Sequence, residues 1–414
     1  MKKKLTIGLF GFGCVGTGLY EVLNQSQLLD ATIKRIVVKD KTKKRTLAAE
    51  HFGFDAAEIL NDEDINVVVE LINNSDEAFD IVKEALSKGK HVVSANKKLI
   101  AEHLDELIAL ATANNVSFLY EASVAGSIPI LRNLEEYYNN DSLSSVQGIV
   151  NGTTNYILTQ SNYGVSYTDA LKKAQELGFA EIDPTLDVDG FDSKYKLTLL
   201  IKHAFGVSIK PDTIFNYGIR QVKPQDVKYA SEKEFRIKLF ARSEKIGDKI
   251  VGFVAPHFIR REHVAFQVDN EFNAVVVEAS FSDKQLFFGK GAGSFPTASA
   301  VLSDISALQY DYQYEYKKSK NETKPDYSDD FYFKIYLASP SIEEIQAIPF
   351  QQIDEIFQSG NYNYQTGWVK FNDIKKYDFN NLDKLFFAVL PEPLLDEKGF
   401  EKIAANSKLL INEI

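Results

Sequence analysis

Over 414 residues the chain holds one cysteine, one methionine and one tryptophan. A lone Cys14 excludes an intramolecular disulfide framework and a cysteine-ligated zinc site. The six histidines, at 51, 91, 103, 203, 257 and 263, form no HxxxH pair, and each reads as structural. No stretch approaches the ~20 apolar residues of a membrane span. Residues 1–4 are basic, but the apolar run behind them soon enters a glycine turn, which is too short for the core of a signal peptide. Cationic side chains are also in short supply: 47 Lys+Arg stand against 58 Asp+Glu, a net charge of -11. That balance argues against nucleic acid as a partner. A cytoplasmic protein with neither membrane nor nucleic-acid contacts is expected.

What is present is an ordinary globular composition, 44% hydrophobic and 25% charged, long enough for two or three domains. The run 5–10 is a short apolar segment suited to a buried parallel strand. It enters Gly11-Phe12-Gly13-Cys14-Val15-Gly16, and a helical pattern follows. This is GxGxxG between a strand and a helix. Its glycines permit a tight turn, backbone approach to a pyrophosphate, and close helix–strand packing, with the phosphates on the helix N-terminus. Further strands are expected at 32–38, 65–72, 91–94 and 117–121, and helices at 44–51, 76–88 and 99–113. The alternation indicates a doubly wound parallel sheet of Rossmann type. The second strand ends at Lys39-Asp40, before Lys41, Lys43, Lys44 and Arg45. An acid there would bind a ribose diol and basic groups a 2′-phosphate, so NAD and NADP both stay open, with NADP slightly favoured. Ser94-Ala95-Asn96-Lys97 closes the fourth strand, where such sheets bind ligands. Lys97 reads there either as facing a nicotinamide or as an exposed loop lysine. The small-residue turn at 121–128 exposes carbonyls that suit a monovalent cation, though a tight connection is the better reading from the residues alone.

The centre of the chain is most informative at 176–201. Five carboxylates (Glu181, Asp183, Asp187, Asp189 and Asp192) fall within twelve residues, and Lys196 stands four residues after Asp192. On a helix that pair shares a face. Such a density of acid needs a cation within it: a lysine, a metal ion or a ligand ammonium. The spacing fails the EF-hand pattern, which disfavours a metal cage. Carbonyl reduction beside a nicotinamide needs a proton relay at the reacting oxygen, and a lysine in an acidic pocket suits it. The plain alternative is an exposed i,i+4 pair worth ~0.3–0.5 kcal/mol. Upstream, 149–158 (IVNGTTNYIL) reads as a polar strand-to-helix turn capped by Thr153 or Thr154. Hairpins at 234–259 and 274–288 point to an α+β middle domain with an antiparallel sheet. The loop at 289–294 (GKGAGS) reads either as a lid over dinucleotide phosphates or as a mobile surface loop.

The segments GLFGFGCVGTGL, VVSANKKLIA, YEASVAGSIPIL, GIVNGTTNYIL, AQELGFAEIDPTLDVDGFDSKYKL and GKGAGSFPTASAVLSDI together resemble homoserine dehydrogenase, in family order over roughly three quarters of the chain. The resemblance implies NAD(P)-dependent interconversion of L-aspartate 4-semialdehyde and L-homoserine, on the branch toward threonine and methionine. It implies Lys196 as the acid/base and Lys97 as its assistant near the nicotinamide. Glu181, Asp187 and Asp192 would hold the substrate, with Asn151, Gly152 and Thr153 lining its carboxylate side. Gly11, Phe12, Gly13, Val15, Gly16, Lys39, Ser94, Lys97 and Gly293 would contact NADP or NAD. A monovalent cation, Na+ or K+, would sit at Glu121 with the carbonyls of Val124, Gly126 and Ile128. A homodimer joined through the middle domain is also implied. With no kinase segment ahead of the glycine loop, a monofunctional member is expected. Two departures stand out: VAGSIP at the hinge where glycine is commoner, and Lys290 where proline is common.

The expected division is a dinucleotide-binding domain at 1–130 with 295–310 returning to it, a catalytic and dimerisation domain at 131–294, a linker at 311–330, and a small α+β unit at 331–414. That last unit, with strands at 331–338, 365–374 and 384–390 and a helix at 349–358, is a candidate divergent ACT-type sensor. Against the enzyme stand two other readings: another Rossmann reductase of a small amino-acid aldehyde, or a noncatalytic dinucleotide sensor. A sensor would need neither lysine.

Overall fold

The computed structural model describes residues 4–26, 29–321, 323–382 and 384–412. Most of the basic start, residues 1–3, lies outside that range. The chain divides into two compact units: Met1–Asn140 with Thr198–Pro211 and Phe287–Lys320, and Asp141–Leu197 with Asp212–Leu286 and Asn321–Ile414.

The first unit is built on a six-stranded parallel sheet. In spatial order its strands are Phe52–Gly53, Ala31–Val37, Leu5–Phe10, Val67–Glu70, His91–Ser94 and Phe118–Leu119. By sequence that order is 3-2-1-4-5-6, the dinucleotide-binding arrangement, whose topological switch lies beside the first strand. Val67–Glu70 is buried at every position, as a strand covered on both faces requires. Helices Cys14–Gln25, Ser75–Ser87 and Lys97–Ala113 alternate with the strands as the pattern predicts.

Two expectations fail here for local reasons. No helix forms across 44–51 beyond one 3-10 turn at Ala49–His51. Asp40 accepts the Thr42 and Lys43 amides at 2.7 and 3.2 Å, and Arg45 donates to the Asp40 and Lys43 carbonyls. Those bonds fix a turn in competition with helical ones. The second failure is the linker. Tyr314 is 5% exposed and packs on Tyr120 and His203, with ring centroids 5.1 and 4.8 Å away. Polar neighbours hid an alternate-residue run of tyrosines that belongs to the core.

The second unit carries an eleven-stranded mixed sheet. Its main path runs Asp283–Lys290, Phe272–Ala279, Leu143–Ile149, Phe235–Ile246, Lys249–Arg260, Phe386–Val389, Tyr332–Ser339, Asn363–Lys370 and Phe350–Phe357. The expected hairpins are the long antiparallel pair 235–246/249–260 and its neighbour 272–279/283–290. Strand pairing also runs through the boundary anticipated at 331, because Val389 pairs with His257. Tyr217 stacks on Phe387 at 4.6 Å and Phe253 packs against Phe331, Phe333 and Phe371.

The helix expected at 349–358 is the edge strand Phe350–Phe357. Register shifts between 350 and 352 and between 353 and 355 add extra residues to it. Such bulges turn a two-residue alternation into a three- to four-residue one that imitates a helix. A cut after Asp330 removes four strands and the aromatic partners of Phe253. Such a chain is expected to lose its cooperative unfolding transition and to aggregate. Calorimetry showing an intact transition would mean that the C-terminal strands are dispensable.

Candidate active site

Each glycine of the first loop has a distinct task. Gly11 sits at φ +93°, and a Cβ there would lie 2.5 Å from the Leu71 carbonyl oxygen. Its amide donates to the Val37 carbonyl at 3.0 Å, tying the loop to the second strand. Gly13 has open space where a side chain would stand, so backbone is bared for a ligand. Any Cβ on Gly16 would collide with the Gly11 carbonyl. Phe12 is buried and packs edge-on against Tyr20 and Phe52. The helix Cys14–Gln25, which holds Val15, opens at Gly13 with no side-chain cap, leaving N–H groups for an anion.

A second helix, Ser294–Leu308, also opens uncapped, at Gly293 with φ +123°. Its Ser294 Oγ donates to the Cys14 carbonyl at 2.8 Å, and Gly18 allows Ser294 to approach closely. Two helix N-termini therefore meet at one place. The loop before them is pinned, because Ser127 donates to the Lys290 carbonyl through both its amide and its hydroxyl, each at 3.0 Å.

Past the carboxyl end of the strand His91–Ser94, Lys97 opens the helix Lys97–Ala113, capped by Asn96 Oδ1 on the Leu99 amide. The Ser94 hydroxyl donates to Glu70 Oε2 at 2.6 Å, and both residues are fully buried. The same hydroxyl accepts the Asn96 amide at 3.1 Å. Lys39 is exposed and pairs with Glu77 at 3.1 Å.

The hinge carboxylate Glu121 is buried. Its two oxygens accept the Leu131 and Arg132 amides at 2.8 and 2.9 Å, so it caps the helix Leu131–Glu136. Burial raises its pKa. The partner Asp304, which accepts the Glu121 amide and binds Arg132 at 2.6 Å, is pushed to about 7, first by burial and then by the Glu121 charge. Val124 and Ile128 are buried, and Gly126 at φ +57° lies against Gly291.

The second unit holds the acidic stretch. The helix Phe191–Phe205 places Asp192 and Lys196 one turn apart, and the pair is buried, with side chains 4% and 9% exposed. Lys196 Nζ donates to Asp192 Oδ2 at 2.7 Å and to the Val150 carbonyl at 2.6 Å. The exposed-pair alternative is thereby excluded. Asn151 Nδ2 reaches both Asp192 Oδ2 at 2.9 Å and Asp187 Oδ1 at 2.7 Å. Its Oδ1 accepts the Thr154 amide, which makes Asn151 the cap of the helix Gly152–Asn162 in place of either threonine. Gly152 lets the chain pass 2.6 Å, measured from its absent Cβ, from the Glu271 carbonyl. Thr153 Oγ1 donates to the Phe179 carbonyl at 2.5 Å. Glu181 is exposed, and among the described residues no hydrogen bond or ion pair draws its carboxylate into the cluster. Arg220 binds Asp189 through Nε and Thr185 through Nη2. Among the described residues no group of three or more His, Cys, Asp or Glu could hold a metal ion.

Two family models match, described as homoserine dehydrogenase over residues 129–306 and as its NAD-binding domain over 11–121. Homoserine dehydrogenase of Bacillus subtilis is 34% identical over 92% of this chain and 96% of its own. That of Lactococcus lactis is 38% identical over 73% of each. The crystal structure of a homoserine dehydrogenase from Thiobacillus denitrificans superposes with a TM-score of 0.83 at 30% identity, covering 94% of this chain and 99% of that one. The chain belongs to the homoserine dehydrogenase family. It is therefore an NAD(P)-dependent oxidoreductase, and the sensor reading falls away. A hyperthermophilic archaeal homoserine dehydrogenase in complex with NADPH matches at a TM-score of 0.66 and 28% identity, over 75% of this chain and 99% of that one.

Sequence reasoning missed three groups in this homoserine dehydrogenase: Arg220, Glu70 and Asp304. Each lies 24 or more residues from the partner it serves, and single charged residues carry no periodic signal. Glu70 also titrates in an unusual range, since burial raises its carboxyl to about 7 against bonds from Ser94 and Ile72 that lower it. A carboxyl raised on folding stabilises fully below its unfolded value of 4.5 and loses that contribution as pH rises through about 7. The wild type is expected to lose up to ~3 kcal/mol between pH 5 and 8.5 from this group. Glu70→Gln should flatten that slope in denaturant melts at both pH values. An unchanged slope would assign the loss elsewhere.

Proposed function

We propose that this enzyme interconverts L-aspartate 4-semialdehyde and L-homoserine with Lys196 as the proton donor and acceptor at the reacting oxygen. The observation that carries this is the buried Lys196–Asp192–Asn151 chain. Asp192 accepts a hydrogen bond from the Lys196 amine, Asn151 holds Asp192, and the Val150 carbonyl fixes the amine's direction. A bound nicotinamide supplies the hydride in reduction and accepts it in oxidation. In reduction Lys196 delivers a proton to the carbonyl oxygen; in oxidation it takes the hydroxyl proton.

Asp187 and Glu181 are the carboxylates assigned to the substrate ammonium beside Asp192. Asp192 acts chiefly by positioning Lys196. Asn151, Gly152 and Thr153 line the carboxylate side. The backbone of Gly11, Gly13, Gly16 and Gly293, at the meeting of two uncapped helix N-termini, is assigned to the pyrophosphate. Lys97 is assigned to the nicotinamide side.

Lys196→Ala is expected to lower turnover about 10²–10⁴-fold, the usual weight of a general acid–base, with dinucleotide binding by fluorescence unchanged. Turnover near the parent value would remove Lys196 from the role.

The hinge carbonyls of Val124, Gly126 and Ile128 beside Glu121 are proposed to take Na+ or K+. The enzyme is proposed to act as a cytoplasmic homodimer, an assignment supported by apolar Phe281 and Phe288, 82% and 55% exposed on and beside the edge strand Asp283–Lys290. No helix among the described residues is long and apolar enough to cross a membrane. Activity should rise when NaCl or KCl replaces tetramethylammonium chloride at equal ionic strength. Sedimentation should give twice the 46.6 kDa chain mass. Salt-indifferent activity would sink the ion site, and a monomer would sink the dimer.

A further inference from the structure

The acidic stretch is clasped by a segment well downstream of it. Residues 216–220 run so close to 185–190 that a Cβ on Gly218 would stand 1.8 Å from the Val188 carbonyl oxygen. Three successive carbonyls of the stretch are taken. The Gly190 amide donates to that of Asp187 at 3.0 Å, the Ile219 amide to that of Val188 at 2.7 Å, and Asn216 Nδ2 to that of Asp189 at 2.8 Å. Arg220 adds its bonds to the Asp189 carboxylate and the Thr185 hydroxyl. The short helix Thr185–Val188, which carries Asp187, is therefore held in place largely from 216–220.

The clasp is itself fixed by a residue of the C-terminal part, Asn380. Its Oδ1 accepts the Gly218 amide at 3.0 Å. Its Nδ2 donates to the Asn216 carbonyl at 3.1 Å and reaches the Asp189 carbonyl at 3.5 Å. Asn380 thus meets both sides of the clasp. A turn asparagine ordinarily bonds its own backbone a few residues on. Here both ends of the amide go to positions 162 and 164 residues earlier. The amide also stands on a firm footing. Phe379 is 1% exposed and packs edge-on against Tyr217 and Phe387, with ring centroids 5.7 and 4.8 Å away.

We propose that Asn380 is a positioning residue of the reaction. It holds 216–220 against 187–189, and so keeps the Asp187 carboxylate at its place beside Asn151 to receive the substrate ammonium. The inference deepens the proposed function and rests on the assignment of Asp187 to that ammonium.

The test is steady-state homoserine oxidation by the full-length wild type, Asn380→Ala, Asn381→Ala and Asp187→Asn. Asn380→Ala should raise the KM for homoserine about tenfold or more, because a binding group displaced by a fraction of an ångström loses much of its effect. Its kcat and its KM for the dinucleotide should stay within about threefold of the wild type, a split that a general loss of stability does not produce. Asn381→Ala, whose amide donates within its own turn to Asp378 at 2.6 Å, should leave all three constants unchanged. In the wild type with the reduced dinucleotide present, saturating homoserine should slow amide hydrogen exchange at 183–190, 216–220 and 377–381 together. That readout is independent of whether a variant folds. Asp187→Asn separates the two readings. A parent-like KM for homoserine there would overturn the substrate assignment and this inference with it. A raised KM there with a parent-like one in Asn380→Ala would overturn the role of Asn380 alone. Equal rises in both KM values in Asn380→Ala, or exchange at 216–220 and 377–381 unmoved by homoserine, would also overturn it.

Discussion

The catalytic reading depends on one buried ion pair. Taking Lys196 and Asp192 out of water costs several kcal/mol per ion, and their attraction offsets that only with good geometry and satisfied remaining groups. The geometry is good because both sit on one helix, four residues apart. The remaining groups are satisfied by Val150 and Asn151, from the strand-to-helix turn opposite. Asn151 serves twice, as the cap of its own helix and as the donor to two carboxylates. The turn and the helix are thus specified together. This explains how NGTTNYIL and the acidic stretch, far apart in the chain, are brought together.

The remaining acids follow the same logic. Asp189 has Arg220, Asp183 has Thr185, and Asp187 shares Asn151. The mutual repulsion implied by five carboxylates within twelve residues is relieved one partner at a time for these three and for Asp192, while Glu181 stays exposed. What results is a cluster whose acidity is arranged rather than diffuse, with the Lys196 amine buried against Asp192.

Legibility in the sequence tracked the range of the interactions. The glycine loop and the alternating strands were readable because their causes lie within a few residues: a turn at Gly11, a bare backbone at Gly13, a close crossing at Gly16. The Asp192–Lys196 pair was readable from helical spacing. Its burial was not, since burial is set by Val150 and Asn151 over forty residues earlier. The bonds of the Asp40 carboxylate to the Thr42 amide and hydroxyl leave no trace in composition. The strand Phe350–Phe357 was misread as a helix because two bulges altered its phase. Tyr312, Tyr314 and Tyr316 were misread as linker because lysines and acids surround them.

The parallel pairing of Val389 with His257 also bears on how the protein is made. A strand laid down early waits for a neighbour more than a hundred residues downstream, and closing so wide a loop is slow. Synthesis at ≈ 5–20 residues per second leaves Lys249–Arg260 without its inner partner for seconds on the ribosome. The nascent sheet has an open flank in that interval, and chaperone shelter is most needed between emergence of the long hairpin and arrival of the final strands.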